Sequence, residues 1–274
     1  MNEPTGDFDV REALSETLAF LTVRPGARDH TWEGDAPDWF GEYLFGGFVI
    51  AQGIIAATRD QADDRRLHSL HAYFLRPVMS AKPVAYTVET IRDGRTFNTR
   101  RVRAAQDGKP ALDLSCSFTA DADGYVYDLP ARRDAPPPSA LPIEEGPGPW
   151  VAGYLGPTPA APDGTRDSTH RMWFRVPAEL PDDAHLHAAL LGFATDWTGI
   201  GGRPLHLEGD TQGMVSLDHA VWFHRPARAD DWLFYDVHSL VNAGGRGLLR
   251  GDIRDRDGHV VISVAQEMRL TPVS

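Results

Sequence analysis

The chain contains one pattern of sequence twice, and this repetition restricts its possible folds more than any other feature. Residues 67–78 read LHSLHAYFLRPV, and residues 216–227 read SLDHAVWFHRPA. Each segment runs through mixed polar and apolar residues to an aromatic pair and then to an Arg-Pro dipeptide. Arg76 and Arg225 are 149 residues apart. Self-similarity at a fixed offset indicates that one structural unit has been duplicated.

The same register continues downstream of both segments. Runs rich in β-branched and aromatic residues predict strands at equivalent places. These runs are 84–91 with 232–240, and 111–119 with 260–270. The dipeptides Asp107-Gly108 and Asp257-Gly258 are hairpin turn signals just before the last strand of each copy. Each copy is therefore predicted to contain an antiparallel strand set of the same order.

One helix is predicted before each strand set. Residues 46–58 (GGFVIAQGIIAAT) and 185–194 (HLHAALLGFA) are apolar on nearly every side. A helix without a polar face must be enclosed by the rest of the protein. The sequence thus predicts an α+β fold in which an antiparallel sheet wraps around two enclosed helices, a tandem (double) hotdog. An ordinary α+β core helix is the alternative for either segment alone, and the repetition of the whole order disfavours it.

The region between the two copies has a different composition. Ten of the 21 prolines lie between positions 130 and 162. Proline removes a backbone donor and disfavours both helix interiors and central strands. We therefore interpret residues 121–170 as an extended surface linker between an N-terminal hotdog (1–120) and a C-terminal hotdog (171–274). We expect the linker to join two halves of one continuous sheet.

Charge and composition exclude several classes of partner. The net charge of −12 argues against binding to nucleic acid or to an anionic membrane, which both require clustered Lys and Arg. The single cysteine, Cys116, excludes an intrachain disulfide and a cysteine-built zinc site. The first residues lack the basic start and apolar run of a signal peptide, and no run approaches the roughly 18 apolar residues of a membrane span. The sequence indicates a cytoplasmic protein.

Several segments together resemble the acyl-CoA thioesterase II family, the double-hotdog thioesterases. Besides the two repeated segments, they are FGGFVIAQGIIAA (45–57), VETIRDGRTFNTRRVRAAQDGKP (88–110), VPAELPDDAHLHAALLGFATDW (176–197) and residues 251–269. They cover both halves in the family's order and leave out about the first forty residues and the linker. The resemblance implies hydrolysis of acyl-CoA to a carboxylic acid and free CoA, with no metal and no organic cofactor. It also implies that two double hotdogs form a homodimer.

The resemblance also implies a catalytic set of an aspartate, a threonine and a glutamine, all in the second copy. The aspartate falls on Asp196, which ends the segment Phe-Ala-Thr-Asp. The threonine position, two residues before an Asp-His pair, holds Ser216 here, and the glutamine falls on Gln266. Ser216 keeps the hydroxyl group and loses the methyl group that restricts the rotamer of threonine.

The chemistry of thioester hydrolysis fits these residue types. The reaction needs a positioned water, a group that takes its proton, and donors for the developing oxyanion. Asp196 ends an apolar helix, where burial raises the pKa of a carboxyl group and its charge opposes the helix dipole. Its structural alternative is a turn residue in the segment Asp-Trp-Thr-Gly. Ser216 and Gln266 can orient a water, and Gln266 aligns with the shorter Ser117 of the first copy.

Other residues are candidates for substrate binding. Backbone N–H groups around Gly46 and Gly47, at the start of the first enclosed helix, are expected to donate to the oxyanion. Glycines at these positions serve equally well as helix caps. Four arginines could meet CoA phosphates, although solvated strand positions are the favoured interpretation: Arg100, Arg101, Arg246 and Arg250.

Rival functions lack the residues that they need. His185 and His187 do not share a helix face, and His219 and His224 lie on opposite faces of a strand, so no metal site is expected. An enoyl-CoA hydratase of similar fold carries an aspartate and a histidine on one helix. After Asp196 the next histidine is His206, beyond several glycines and a proline, so the two residues are not expected to share a helix. This disfavours the hydratase. A non-catalytic acyl-CoA-binding double hotdog remains the alternative from a different class.

Overall fold

The computed structural model describes residues 10–38, 41–59, 61, 64–128, 135–145, 148–156, 170–197 and 214–271. These residues form three α-helices, one short 3₁₀ turn at Pro138–Ala140 and fourteen strands. The helices are α1 (Val10–Leu21), α2 (Gly46–Thr58) and α3 (Ala184–Thr195). The strands of the first copy are β1 (Arg24–Pro25), β2 (Thr31–Gly34), β3 (Arg66–Phe74), β4 (Val84–Asp93), β5 (Phe97–Gln106) and β6 (Lys109–Thr119). The later strands are β7 (Glu144–Glu145), β8 (Val151–Tyr154), β9 (His170–Arg175), β10 (Met214–Ser216), β11 (Asp218–Phe223), β12 (Leu233–Ala243), β13 (Arg246–Arg254) and β14 (Val260–Leu270).

All of these strands belong to one antiparallel sheet. Its order is β1-β2-β4-β5-β6-β3-β11-β14-β13-β12-β9-β8-β7, and β10 pairs with β14. The two copies meet where β3 pairs with β11, with Tyr73 opposite Asp218 and Ser69 opposite Trp222. The prediction of one continuous sheet is confirmed.

The two central helices are enclosed by this sheet and by each other. Ten of the 13 residues of α2 and eight of the 12 residues of α3 are buried. The helices are in direct contact at Gly192, where an added Cβ would lie 2.6 Å from the Cδ1 atom of Ile54. The predicted tandem hotdog, an α+β fold with two enclosed helices, is confirmed.

Elements with a clear sequence pattern lie close to their predicted positions. Helix α2 and strand β14 have the predicted bounds, and α3 extends the predicted segment by one residue at each end. Asp107 and Gly108 have φ values of 51° and 74°, which suit the two-residue hairpin turn that was predicted. Helix α1 and the short strands β1, β2 and β7 to β9 were not predicted.

The segment predicted as a linker contains more structure than expected. Strand β8 pairs with β9, and Trp150 just before it is buried in the core. Asp128 accepts two hydrogen bonds from Arg225, and Trp173 Nε1 donates to the carbonyl of Pro136 at 2.8 Å. The expectation of a purely extended surface connection is therefore wrong for this segment. Residues 150–156 contain no proline, although prolines stand on both sides, so this stretch is able to form a strand. The exact boundaries at 120 and 171 stay a prediction.

In the part of the chain that the structure describes, no helix has the length and apolar character needed to cross a membrane.

Candidate active site

The C-terminal end of helix α3 carries a buried carboxylate. Asp196 is the C-cap residue of this helix, and its side chain is only 4% exposed. Its Oδ1 atom accepts a hydrogen bond of 2.7 Å from Gln266 Nε2. Its Oδ2 atom accepts a hydrogen bond of 2.8 Å from the backbone N–H of Gly47, which lies in the first copy. The carboxylate is thus bound from both halves of the molecule.

The other two predicted catalytic residues lie beside this carboxylate. Gln266 is completely buried on β14, and Ser216 ends β10, the short strand that pairs with β14. The Nε2 atom of Gln266 donates a second hydrogen bond to Ser216 Oγ at 2.8 Å. The structure therefore brings Asp196, Ser216 and Gln266 together, although 70 residues separate the first from the last along the chain.

Burial controls the proton affinity of Asp196. Desolvation raises the pKa of its carboxyl group from 3.8 to about 7, against the opposing effects of the Gln266 and Gly47 hydrogen bonds. Both donors are neutral, so they offset only part of the cost of burying a charge. At neutral pH the carboxylate is therefore a base of the strength that proton transfer from water requires.

Gly46 and Gly47 allow α2 to begin in direct contact with the end of α3. A Cβ atom at Gly47 would lie 2.3 Å from the carbonyl oxygen of Phe193 and 2.9 Å from Asp196 Cβ. A Cβ atom at Gly46 would lie 2.7 Å from the ring of Phe74. The N–H of Gly47 was expected to serve an oxyanion, but it already donates to Asp196. In this structure Asp196 is the acceptor for that N–H, and the roles of Gly46 and Gly47 in substrate binding stay predictions.

A buried histidine adjoins the site, and the sequence interpretation used it as a marker for Ser216 and otherwise considered it only as a metal ligand. His219 on β11 is 1% exposed, and its Nε2 atom lies 2.8 Å from Thr195 Oγ1. Burial lowers the pKa of its imidazole to about 3, so the ring is neutral at physiological pH. The carbonyl of Thr195 accepts a hydrogen bond of 2.9 Å from the hydroxyl of Tyr235. The sequence signal that was available is the position of His219 on the strand face opposite His224, one residue after Asp218 and close to Ser216.

Aromatic rings surround the end of α3 on its other side. Trp150 stacks on Phe193 with ring centroids 6.1 Å apart, and it meets Trp197 edge-on at 5.3 Å. Phe45, just before α2, packs edge-on against Phe193 at 5.2 Å. Trp150, from the segment that was predicted to be a linker, therefore packs against the residues that flank Asp196 at the end of α3.

The four arginines considered for CoA phosphates differ in their surroundings. Arg101 pairs with Asp113 at 2.6 Å and Arg246 with Glu267 at 3.0 Å, both near the surface, and Arg250 is exposed. These three fit the interpretation as solvated strand residues. Arg100 does not, because its side chain is 3% exposed and donates to Asp93 at 2.6 Å. It is a buried structural residue.

Two further features lie away from these residues. A cavity of about 450 Å³ lies beside the first half of α3, with Leu67, Leu191 and Phe223 in its lining, and it does not include Asp196, Ser216 or Gln266. Asp255, Asp257 and His259 place ligand-type atoms within 4.8 Å of one another, but Asp255 Oδ1 accepts from the backbone N–H groups of the other two. This arrangement is a hydrogen-bonded surface turn. His206, the histidine considered for the hydratase alternative, lies outside the described residues.

Comparison with known proteins agrees with this architecture. The family model described as the acyl-CoA thioesterase N-terminal domain matches residues 36–119, and that of the acyl-CoA thioesterase C-terminal domain matches residues 128–270. The chain belongs to the acyl-CoA thioesterase family. The C-terminal match begins inside the segment predicted as a linker, in agreement with the pairing of β8 with β9.

Relatives of this thioesterase are similar over almost their whole length. Acyl-CoA thioesterase 2 of Haemophilus influenzae is 30% identical, over 87% of this chain and 91% of that protein. Human acyl-coenzyme A thioesterase 8 is 29% identical, over 97% of this chain and 90% of that protein. The crystal structure of the acyl-CoA thioesterase II TesB2 from Mycobacterium marinum is 32% identical and superposes with a TM-score of 0.82, covering 94% of this chain and 98% of that one.

Proposed function

We propose that this thioesterase hydrolyses acyl-CoA to a free carboxylic acid and CoA, with Asp196 as the base that activates a water. The observation that carries the proposal is the meeting of Asp196, Ser216 and Gln266 at hydrogen-bond distance in a buried site. A carboxyl group with a pKa of about 7 accepts a proton readily at neutral pH. The named relatives are acyl-CoA thioesterases, which supports acyl-CoA as the substrate class.

The reaction follows from this arrangement in two steps. A water held between Asp196 and Ser216 gives a proton to the carboxylate while its oxygen attacks the thioester carbonyl carbon. The C–O bond forms, and the carbonyl oxygen becomes an oxyanion. The C–S bond then breaks, the carbonyl is restored, and the CoA thiolate takes up the proton from Asp196. The products are the carboxylic acid and the thiol of CoA, and no metal takes part in these steps.

Ser216 and Gln266 have orienting roles in this proposal. A serine hydroxyl both donates and accepts, so Ser216 can hold the water by one of its lone pairs. The amide of Gln266 donates to both neighbours and cannot ionise at working pH, so it fixes the carboxylate without taking its proton. The rotamer of Ser216 is less restricted than that of threonine, which gives looser positioning of the water.

Two wider properties belong to the same proposal. We propose that the enzyme works in the cytoplasm and that two chains form a dimer of double hotdogs. Light scattering on a sizing column measures the second property directly, and a mass of one chain at micromolar concentration would contradict it.

The decisive experiment measures thiol release from acyl-CoAs with chains of 2 to 18 carbons, chosen to span the common range. Purified protein without added metal should release CoA from at least one of them, and EDTA should leave the rate unchanged. Asp196→Asn is the matched control, because it keeps the shape of the side chain and removes the base. Tight binding of acyl-CoA without release by the wild-type protein would instead support the non-catalytic binding module.

A further inference from the structure

Two buried polar atoms beside the active site have no hydrogen-bond partner that meets ordinary distance and angle limits. They are Oε1 of Gln266 and Nδ1 of His219. Their residues lie on β14 and β11, which are paired neighbours with Ala220 opposite Ala265. Both side chains are almost fully buried, so water does not readily serve either atom. A buried polar atom without a partner is costly, and two in one site require an explanation.

The orientation of the Gln266 amide decides whether the site functions. Its Nε2 atom carries two hydrogens, and these are directed at Asp196 Oδ1 and Ser216 Oγ. A flip of the amide would place Oε1 against the carboxylate, where two acceptors repel each other and the carboxylate loses a donor. A donor on the other side of the amide, facing Oε1, would exclude the flipped orientation.

His219 is in the right place to be that donor. Its Nε2 atom is fixed 2.8 Å from the hydroxyl of Thr195, so the ring is held at one end. The Gln266 amide raises the pKa of the imidazole, as an acceptor beside the ring does, although burial dominates and keeps the ring neutral. A neutral imidazole has one N–H group and one acceptor nitrogen, so its tautomer decides what Gln266 receives.

Only one tautomer gives both buried atoms a partner. With the proton on Nε2, the ring donates to Thr195, and Nδ1 faces Gln266 as a second acceptor. With the proton on Nδ1, the ring donates towards Gln266 Oε1, and Nε2 accepts from the hydroxyl of Thr195. In this tautomer the single proton of the Thr195 hydroxyl turns to the ring and away from the carbonyl of Gly192, the alternative acceptor at 2.7 Å.

We propose that His219 is a positioning residue for thioester hydrolysis, which holds the amide of Gln266 through its Nδ1–H so that the amide nitrogen faces Asp196 and Ser216. The inference rests on the proposed function of these three residues. His219 does not touch the water or the thioester, and it acts only through Gln266.

Two substitutions separate the two ends of the imidazole. Asparagine places an amide nitrogen where Nδ1 lies and has nothing that reaches Thr195. Glutamine places its amide near Nε2 and leaves Gln266 without a donor. His219→Asn should therefore keep kcat within about threefold of wild type. His219→Gln should lose roughly 10- to 100-fold, the range found when the partners behind metal ligands are removed.

The remaining measurements identify the route by which His219 acts. In His219→Gln the midpoint of the kcat–pH profile should rise above about 7, because Asp196 loses the donor that lowers its pKa. KM should change little. In a Gln266→Ala background His219→Gln should cost almost nothing further, since both act on one group. His224→Asn is the control: it changes the exposed histidine just after β11, whose Nε2 atom lies 3.0 Å from Ser263 Oγ, and should leave kcat and its pH midpoint unchanged.

Nitrogen-15 NMR of the imidazole tests the same contact without any activity. The wild-type protein should show a protonated Nδ1 at His219, and Gln266→Ala should shift that signal. A proton on Nε2 would overturn the proposal, and so would equal losses of kcat in His219→Asn and His219→Gln. If no acyl-CoA is hydrolysed at all, the proposed function fails, and the NMR result still decides whether His219 holds Gln266.

Discussion

At the scale of single residues, the site consists of a buried acid that is held without a cation. Among the residues that the structure describes, Asp196 forms no ion pair, and its partners are an amide and a backbone N–H. An arginine or lysine in their place would stabilise the carboxylate and lower its pKa. Neutral donors hold the group in place and leave it basic, which suits the proposed role of Asp196 as the base that takes a proton from water.

The pH dependence of turnover follows from this acid. Because only the ionised form of Asp196 accepts a proton, kcat should rise with pH and level off above a midpoint near 7. Asp196→Asn should lower kcat by roughly 10²- to 10⁴-fold, the usual contribution of a general base, and remove this pH limb. Steady-state kinetics from pH 5 to 9 on a buffer series of constant ionic strength checks both effects. A folded Asp196→Asn protein with wild-type turnover would disprove the assignment.

The same residue should make stability depend on pH. The pKa of Asp196 is about 7 in the folded protein and near 3.8 when it is unfolded, so the folded state holds the proton more tightly. The protonated carboxyl group of Asp196 contributes fully to folding stability below about pH 4. This contribution is lost as the pH rises to about 7. Asparagine does not titrate, so the Asp196→Asn protein does not lose this contribution. Its free energy of unfolding, relative to that of wild type, should therefore increase by about 4 kcal/mol from pH 4 to pH 8. Urea titrations of both proteins at the two pH values measure this change. A difference in free energy of unfolding that is the same at pH 4 and pH 8 would contradict the raised pKa of Asp196.

The serine at position 216 gives a third expectation. Ser216→Thr restores a β-branched side chain with a stiffer rotamer, so kcat should stay equal or rise by a few-fold. Ser216→Ala and Gln266→Ala should each lower kcat by less than Asp196→Asn does, because they remove orienting groups only. Combining Gln266→Ala with Asp196→Asn should cost far less than the product of the two single losses. Strictly multiplicative losses would show that these residues do not act on one water.

At the scale of elements, the site depends on how closely the start of α2 approaches the end of α3. Gly47→Ala places a Cβ 2.3 Å from a backbone carbonyl of α3, which cannot move independently of its helix. The helices must separate, so the bond to Asp196 should lengthen, kcat should fall at least tenfold and the melting temperature should drop. Any gain of up to about 1 kcal/mol in helix propensity is too small to prevent this.

Gly192→Ala is the matched control for that change. It lies in the contact between the same two helices, but its added Cβ meets the terminal methyl group of Ile54, which can rotate away. Thermal melts and kinetics of the two variants should differ clearly. If both lose activity equally, the bond between Gly47 and Asp196 has no special importance.

Elements were predictable from the sequence wherever one local pattern determines them. Helix α2 is apolar on nearly all sides, and β14 follows directly after the turn signal Asp257-Gly258, so both were found with their bounds. Strand β8 was missed because the prolines before it suggested an extended chain. The Gly47–Asp196 bond and the position of His219 were also missed. They depend on the packing of α2 on α3 and on the order of strands, which no local pattern records.

At the scale of the whole molecule, the two copies are joined along β3 and β11 as well as through the helices. Residues 121–127 are exposed, and they include Tyr125 and Tyr127. Brief treatment with chymotrypsin should therefore cut after one of these tyrosines and leave the buried Tyr86 and Tyr235 intact. The two fragments should stay together on a sizing column and keep thioesterase activity. Separation into two folded species would contradict a shared sheet.

The junction between β3 and β11 also has a consequence while the protein is being made. Strand β3 ends at Phe74, and its partner begins only at Asp218. At about 5–20 residues per second, the ribosome takes roughly 7–30 s to supply that partner. During this interval a folded first copy presents the bare edge of β3, which can pair with the same edge of a neighbouring nascent chain. Crowded polysomes and slow translation should therefore favour exchanged dimers, and the yield of correctly joined protein should depend on a chaperone that covers this edge.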